Sequence, residues 1–509
     1  MFLKFKQSAT ISAQLLFLSF FLLLFQLATA QQQDKIIINI NVDSIYQTIR
    51  NFGASDAWSG QFAGNWPDAK KNAIADWLFS TDTLANGNPK GIGLSLWRYN
   101  LGAGSAEQED NSGIKDEWRR AALTTGNSEK VQAQNWFLKA AKQRGVTQFL
   151  GFFNSPPVAL TKNNKAFAHK GICNIDSTNY AAFANYAMKA MQQIKDETGI
   201  SFNYISPVNE PQWDWSDSGQ EGSPYTNKEI AGIVKAFNKA FQQDKTDAKL
   251  LITESGSLTY LLPAGDKRDK DEQVNDFFNA ASPLYVGNLS NITYAIAAHS
   301  YFTTSPFNKA IKLRAAVNNF VSKIKDLEYW QSEYCILGDN AGEINGDKRD
   351  TGMSSALYLA RVIYTDLVYG NASAWQWWLA ISPYNYKDGL IYIDKNEKDG
   401  NYHDSKMLWA MGNYSRFIRP GMKRIKMDMS MDSLYASSFA DAAKHRLVLV
   451  FVNTAASKKA VGFSSKTIPS NKKIITYTTS ATQSLEKKII AAKDLAIPAK
   501  SVITVVYEP

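Results

Sequence analysis

Two short segments each end an apolar run with a carboxylate: Ile205-Ser206-Pro207-Val208-Asn209-Glu210-Pro211 and Trp330-Gln331-Ser332-Glu333-Tyr334. Two acids raised on separate strands of one scaffold are what glycosidic bond cleavage needs. One protonates the leaving oxygen, and the other attacks the sugar carbon or activates water. Asn-Glu-Pro and Ser-Glu-Tyr say little singly, because a strand-end glutamate is often just the partner of a lysine. As a pair on strands of one barrel, Glu210 and Glu333 become candidate acid and nucleophile.

Other residues sit where they could serve such a pair. Arg98 ends the run Leu96-Trp97-Arg98-Tyr99-Asn100, and a strand-end arginine can hold a carboxylate ionised through a charge-assisted hydrogen bond. A structural ion pair is the plainer role for it. Tyr301, in His299-Ser300-Tyr301, could act on the same carboxylate through its hydroxyl, and the amide of Asn209 could donate to a sugar hydroxyl. Trp58, Trp213, Trp215, Trp375, Trp377 and Trp378 lie at strand ends or in the loops that follow. Flat rings suit the apolar C–H faces of sugars, although about half of these are expected to be plain packing. Glu221, in Gln220-Glu221-Gly222, could bind sugar hydroxyls or cap a turn.

Other chemistries lack their residues. The four histidines, His169, His299, His403 and His445, have no metal-ligand spacing. The chain has no Gly-x-Ser-x-Gly elbow, phosphate-binding glycine loop or dinucleotide fingerprint. No metal and no cofactor are expected.

The elements that must position these residues are legible as eight apolar runs. They are Phe52 to Asp56, Leu94 to Asn100, Phe149 to Asn154, Tyr204 to Glu210, Leu250 to Glu254, Tyr294 to Tyr301, Tyr329 to Glu333 and Ala372 to Trp378. Helical patterns separate most of them. Ser177 to Gly199 carries Phe183, Ala187, Ala190, Met191 and Ile194 at helical spacing, with Gly199 as its C-terminal cap. Thr226-Asn227-Lys228-Glu229 is a capping box ahead of Ile230, Ile233, Phe237 and Phe241. Strands alternating with helices imply a parallel sheet, and eight units predict a (β/α)8 barrel with its site at the C-terminal strand ends. After Pro420 the apolar period becomes two, as in Leu447 to Phe451, Ile474 to Tyr477 and Ser501 to Tyr507. That predicts an antiparallel β-sandwich, to which the strands within 35–49 are expected to add. The expected division is 1–30 leader, 31–50 strands of the side domain, 51–420 barrel and 421–509 sandwich.

Lys4 and Lys6, the apolar stretch Leu15 to Leu27 and the small residues Ala28-Thr29-Ala30 form a secretory signal. That stretch is short for a membrane span, so a secreted protein is expected, extracellular or periplasmic and without a retained span. A monomer is expected too. The chain of 509 residues carries only Cys173 and Cys335, so disulfides do not hold the fold together; the two are either a pair or two buried thiols. Residues 421–509 hold 14 Lys+Arg and 6 Asp+Glu, so most of the net charge of +9 belongs to the side domain and not to the barrel. These lysines are scattered over strands, without the aromatic-laced groove of a nucleic-acid site, and no nucleic-acid partner is expected. They read as a solvated face or as attraction to an acidic polymer. Asn288, Asn291, Asn371 and Asn413 lie in N-glycosylation sequons.

At these residues the sequence resembles glycoside hydrolase family 30, and within it the branch of endo-β-1,6-galactanases. The matching stretches are Gly53 to Trp58, Trp97 to Asn100, Asn154-Ser155-Pro156-Pro157, Ile205 to Gln212, Gln220-Glu221-Gly222, His299-Ser300-Tyr301, Trp330 to Tyr334 and Gly412 to Gly421. The resemblance implies a (β/α)8 barrel fused to a β-sandwich, and retaining hydrolysis with Glu210 as acid/base and Glu333 as nucleophile. It implies supporting roles for Arg98, Asn209, Tyr301 and Trp378, beside which Trp377 stands as a competitor. It extends substrate binding to Asp56, Asn154 and Trp213. The expected partner is a polysaccharide or oligosaccharide. Leu101-Gly102-Ala103-Gly104-Ser105 is poorer in glycine than the family pattern.

Overall fold

All eight apolar runs are parallel strands of one closed barrel. The computed structural model describes residues 35–508 apart from 264, 430, 431, 444, 465 and 466. The leader expected over residues 1–30 lies outside the described residues. After β1 (Ile36–Thr48), the barrel strands are β2 (Asn51–Ser55), β3 (Leu96–Asn100), β4 (Gln148–Phe152), β5 (Tyr204–Ser206), β6 (Lys249–Ser255), β7 (Ile292–His299), β8 (Glu328–Glu333) and β9 (Ala374–Ser382). Neighbours in sequence are neighbours in space, and β9 pairs with both β8 and β2 to close the ring. Such strands are covered on both faces, inside by the barrel core and outside by helices. Hence Leu96-Trp97-Arg98-Tyr99-Asn100 is buried at every position instead of alternating. Two more strands, β10 (Gly389–Ile393) and β11 (Tyr402–Asp404), extend the sheet beyond β9.

The covering helices form where the pattern requires them. Residues 177–179 make one 3-10 turn before the α-helix Tyr180–Thr198, which Gly199 closes at φ 68°, a conformation that glycine adopts without a side-chain clash. The helix Asn227–Gln243 starts from the complete Thr226/Glu229 capping box and buries Ile230, Ile233, Phe237 and Phe241.

The side domain follows as β12 (Lys423–Asp428), β13 (Leu434–Asp441), β14 (Arg446–Asn453), β15 (Lys459–Phe463), β16 (Lys473–Thr479), β17 (Glu486–Ala491), β18 (Ala496–Ile497) and β19 (Ser501–Tyr507). Its hydrogen bonding runs in the order β17-β16-β19-β14-β13-β12-β1-β15-β18. β1 is antiparallel to β12, while Ile36–Ile38 run parallel to Val461–Phe463 of β15, the one parallel pairing among these described strands. In β14, Val448, Val450 and Val452 face the barrel core, and Leu449 and Phe451 face a second core with Ile38, Val461, Ile497, Ile503 and Val505. A strand buried on both faces reads as a continuous apolar run, which is why Leu447 to Phe451 shows no polar alternation.

The helix Lys406–Ser415 joins the two bodies. Fully buried Asn413 donates its side-chain amide to Tyr477 O and Thr504 Oγ1, both at 2.9 Å, and its backbone carbonyl accepts from Thr504 Oγ1 at 2.6 Å. A side chain so engaged is not open to glycosylation in the folded protein, and neither is Asn291, whose amide donates to Thr246 O and Ala248 O. Replacing Asn413 by Ala leaves buried groups without partners and is expected to destabilise the protein by about 1–3 kcal/mol, read as a lower denaturant midpoint. An unchanged midpoint would remove this contact from the account.

Candidate active site

The C-terminal strand ends bring one group of polar side chains together. Arg98 comes from β3, Asn154 and Asn209-Glu210 from the turns after β4 and β5, and Glu254 from the end of β6. His299 ends β7, Tyr301 lies two residues further, Glu333 ends β8, and Trp378 lies in β9. Three of these strands carry register shifts just there. The pairing of Ile252 and Ser255 with Ile296 and Ala298 leaves one extra residue beside Glu254. Gln331 and Glu333 face the consecutive residues Ala298 and His299, and Trp377 and Leu379 face Ala54 and Ser55. Bulges of this kind break the alternation of a strand and re-aim a side chain. The third one separates Trp378 from Trp377.

Glu333 is fixed from two sides. Its Oε2 accepts from Arg98 Nη1 at 2.5 Å and its Oε1 from the Tyr301 hydroxyl at 3.0 Å. Arg98 also donates through Nη2 to Asn209 Oδ1 at 3.1 Å, and the same nitrogen lies 3.5 Å from Glu254 Oε2. Its guanidinium rests on the Phe152 ring, 3.7 Å from the centroid. Asn209 in turn donates to Asn154 Oδ1 at 3.1 Å. Glu210 meets His299, whose Nδ1 lies 2.9 Å from Glu210 Oε1 and 3.7 Å from Glu333 Oε1. His299 Nε2 lies 3.0 Å from Glu254 Oε2. A carboxylate oxygen of Glu210 and one of Glu333 are within 4.8 Å of each other.

Three buried carboxyl groups thus share two cations. Burial alone would lower the pKa of His299, but the charge of Glu333 and the hydrogen bonds to Glu210 and Glu254 raise it to about 9. Burial raises Glu254, yet Arg98 and His299 outweigh it and hold this acid at about 2. Burial pushes Glu333 above the ordinary carboxylate value while His299 and Arg98 pull against it. Glu210, His299 and Glu333 offer donor atoms close enough to gather around a cation. The raised pKa of His299 means that a cation there would have to displace its proton.

The raised pKa of His299 has a consequence for stability. Its contribution is fully present below the unfolded value near 6.5 and is lost as pH rises through about 9. Unfolding measurements are therefore expected to show stability falling between pH 6.5 and 9, and the fall should be smaller in His299→Gln. A variant with the same slope as the parent would contradict the shared-proton arrangement.

The turn that presents Glu210 is itself unusual. Glu210 and Glu254 have φ of 45° and 51°, left-handed values that cost a non-glycine residue about 1–3 kcal/mol. Local hydrogen bonds hold them there. Glu210 N–H donates to Glu254 O at 2.8 Å, and Glu210 O accepts from Trp213 N–H at 3.2 Å and Trp215 Nε1 at 3.0 Å.

The remaining candidates separate by position. Trp378 lies at the site, 5.9 Å from the Arg98 guanidinium and edge-on to Trp58 at 5.4 Å. Trp375 and Trp377 are fully buried, donating to Asp366 Oδ2 and Asp388 O, and belong to the core. Asp56 is buried behind β2 and β3 with Oδ1 on Asn100 N–H and Oδ2 on Gln134, both at 2.9 Å. Burial raises it to about 7. Trp213 is half-buried on the loop after Glu210. Glu221 takes the turn-capping role: its carboxylate accepts from Ala103 N–H, Ser105 N–H and Ser105 Oγ. It thereby shapes the glycine-poor loop after β3. Cys173 and Cys335 are free, buried thiols, and Cys335 Sγ lies 3.7 Å from the Tyr301 hydroxyl. Sequence reasoning did not select Glu254 or His299 as site residues. Both end apolar runs of the same kind as Glu210, and that was the available signal.

Comparison with known proteins agrees with this fold. The model of O-glycosyl hydrolase family 30 matches residues 35–392. The chain is 21% identical to a glucuronoxylanase of Bacillus subtilis strain 168 over 422 residues, 82% of this chain and 78% of that one. A second Bacillus subtilis glucuronoxylanase is 23% identical over 330 residues, and there the match spans 63% of this chain and 64% of the relative. Among solved structures, a conserved exported protein from Bacteroides fragilis is 32% identical, with TM-score 0.85 over 92% of this chain and all of that one (100%). An endo-β-1,6-glucanase shares the fold at 15% identity, with TM-score 0.65 over 93% of this chain and 94% of that one. Barrel, side domain and family match agree, and the chain belongs to glycoside hydrolase family 30.

Proposed function

We propose that the protein is a secreted, retaining endo-β-1,6-galactanase acting on the side chains of arabinogalactan, with Glu333 as nucleophile and Glu210 as acid/base. The observation that carries the mechanism is the closeness of the two acids, one carboxylate oxygen of Glu210 lying within 4.8 Å of one of Glu333. Retaining enzymes hold their carboxyl groups about 5–5.5 Å apart, and inverting ones about 6.5–9.5 Å apart to admit a water molecule. In the first step Glu333 attacks the anomeric carbon while Glu210 gives its proton to the departing glycosidic oxygen. In the second, Glu210 takes a proton from water, which displaces Glu333 and leaves the sugar with its β configuration. Arg98 and Tyr301 keep the Glu333 oxygens oriented for attack, and Asn209, held by Arg98 and Asn154, keeps a second amide N–H to donate to a sugar hydroxyl.

The galactan assignment rests on the motif resemblance, which spans nearly the whole chain after the leader. Glucuronoxylan is the competing substrate, since two relatives cleave it. A uronate would need an unpaired cation beside the site. Arg119 packs on Trp58 and Tyr384 and shares Asp116, 3.9 Å away, with Lys395 at 2.8 Å, so one carboxylate serves two cations there and glucuronoxylan is the control substrate. Secretion rests on the leader composition; among the described residues no helix is long and apolar enough to cross a membrane. Reducing-end release from debranched β-1,6-galactan tests the substrate. A ladder of short oligosaccharides is expected, and no release from folded enzyme that cleaves β-1,6-glucan or xylan would overturn the galactan assignment.

A further inference from the structure

Two aromatic walls flank the carboxylates. One, from the first and last barrel strands, is Trp58, Trp378 and Tyr384. The other comes from the loops after β5, β6 and β7 and consists of Trp213, Tyr260 and Phe302. Phe302 is 69% exposed, the most exposed large apolar side chain among the described residues, although it directly follows buried Tyr301, which donates to Glu333. A left-handed φ of 60° turns the chain at this residue. Its ring stands perpendicular to Trp213, with centroids 5.9 Å apart at 87°. Trp213 is immobilised from behind. Tyr260 meets it edge-on at 5.9 Å, and it sits so close over Gly256 that a Cβ there would lie 2.4 Å from Trp213 Nε1. Lys267 Nζ lies 5.0 Å from the Trp213 ring while donating to Gln212 O at 2.6 Å.

An aromatic ring left in water next to a catalytic residue costs hydration free energy unless something covers it in use. The occupant follows from the acid. Trp213 lies on the Glu210 turn, with its N–H on Glu210 O, and Glu210 protonates the departing oxygen in the mechanism above. This wall therefore borders the leaving group. We propose that Phe302, braced by Trp213, is the platform for the first sugar on the leaving-group side of the scissile bond, and that it receives acceptor sugars in the reverse direction. The inference rests on the retaining reading of Glu210 and Glu333. In the transfer step an acceptor hydroxyl attacks the anomeric carbon of the glycosyl–Glu333 ester. Its proton goes to Glu210, a new β-glycosidic bond forms, and the Glu333 carboxylate departs.

The test compares Phe302→Ala and Phe302→Trp with the parent on two substrates: the glycan the parent cleaves, and an aryl β-glycoside of a short oligosaccharide, which has no leaving-group sugar. Loss of one stacking ring is expected to lower kcat/KM for the glycan about tenfold more than for the aryl substrate. The ratio of transfer to hydrolysis, read from products with added oligosaccharide acceptor, should fall by a similar factor. Phe302→Trp should restore both. Equal losses on the two substrates, no loss on either, or an unchanged transfer ratio would overturn the platform. No transfer product from a parent that first releases the β anomer would overturn the acceptor role, whereas first release of the α anomer would count against the retaining reading, which keeps the two failures apart.

Discussion

Glu333→Gln is expected to abolish turnover, with a loss of about 10⁴-fold or more, while the protein stays folded. The magnitude follows from the role: an amide cannot form the glycosyl ester, and removing a covalent nucleophile eliminates the path instead of slowing it. Glutamine has nearly the same shape and keeps an oxygen for Arg98 Nη1 or the Tyr301 hydroxyl, which lie 2.5 and 3.0 Å from the present carboxylate. The variant also relieves one of three buried carboxyl groups, so its thermal midpoint should stay close to that of the parent. Activity within tenfold of the parent would sink the assignment, whatever the substrate.

Glu210→Ala is expected to fail differently. General acid–base catalysis contributes about 10²–10⁴-fold, and a natural sugar leaving group needs all of it. An activated aryl leaving group departs without a proton, so ester formation survives and the ester then waits for a base. Azide needs no base, and adding it should restore turnover of the aryl substrate and give a β-glycosyl azide. The product keeps its configuration because the azide enters from the face that Glu210 occupied. An α-azide, or equal loss on aryl and natural substrates with no rescue, would mean that Glu210 is not the acid/base. The variant leaves His299 with Glu254 and Glu333 as its remaining carboxylate neighbours at 3.0 and 3.7 Å, so the cation keeps partners and the fold is expected to persist.

The barrel was legible because its strands are buried on both faces. Runs such as Leu250 to Glu254 have no polar alternation to confuse them with surface strands, and each ends where its polar residue begins. The side domain was legible in its short apolar runs, although the expected period of two fails in Leu447 to Phe451 and Ser501 to Tyr507, which are buried on both faces. The parallel pairing of Ile36–Ile38 with Val461–Phe463 was not, because nothing local in either segment names its partner. At the site, Glu210, Glu333, Arg98 and Tyr301 stood at strand ends where chemistry could be expected, and the structure brings all four together. The third acid and the histidine between the carboxylates were not selected, although Glu254 ends an apolar run as Glu210 does. Nothing local in a strand says which strand-end side chains turn to one centre, and the register shifts beside Glu254 and Glu333 leave no mark in composition or periodicity. The choice between Trp377 and Trp378 turned on the same device in β9. Glu221 offered two roles in the sequence, and only its contacts to Ala103 and Ser105 decide between them.

The measurement that bears most directly on the account is the anomeric configuration of the first product, followed by proton NMR during cleavage of debranched β-1,6-galactan. The β anomer should appear first, with the α anomer growing only as free sugar mutarotates, because acids with oxygens within 4.8 Å of each other suit direct attack by one of them better than the wider gap of an inverting pair. Initial release of the α anomer would contradict double displacement by Glu333 and Glu210.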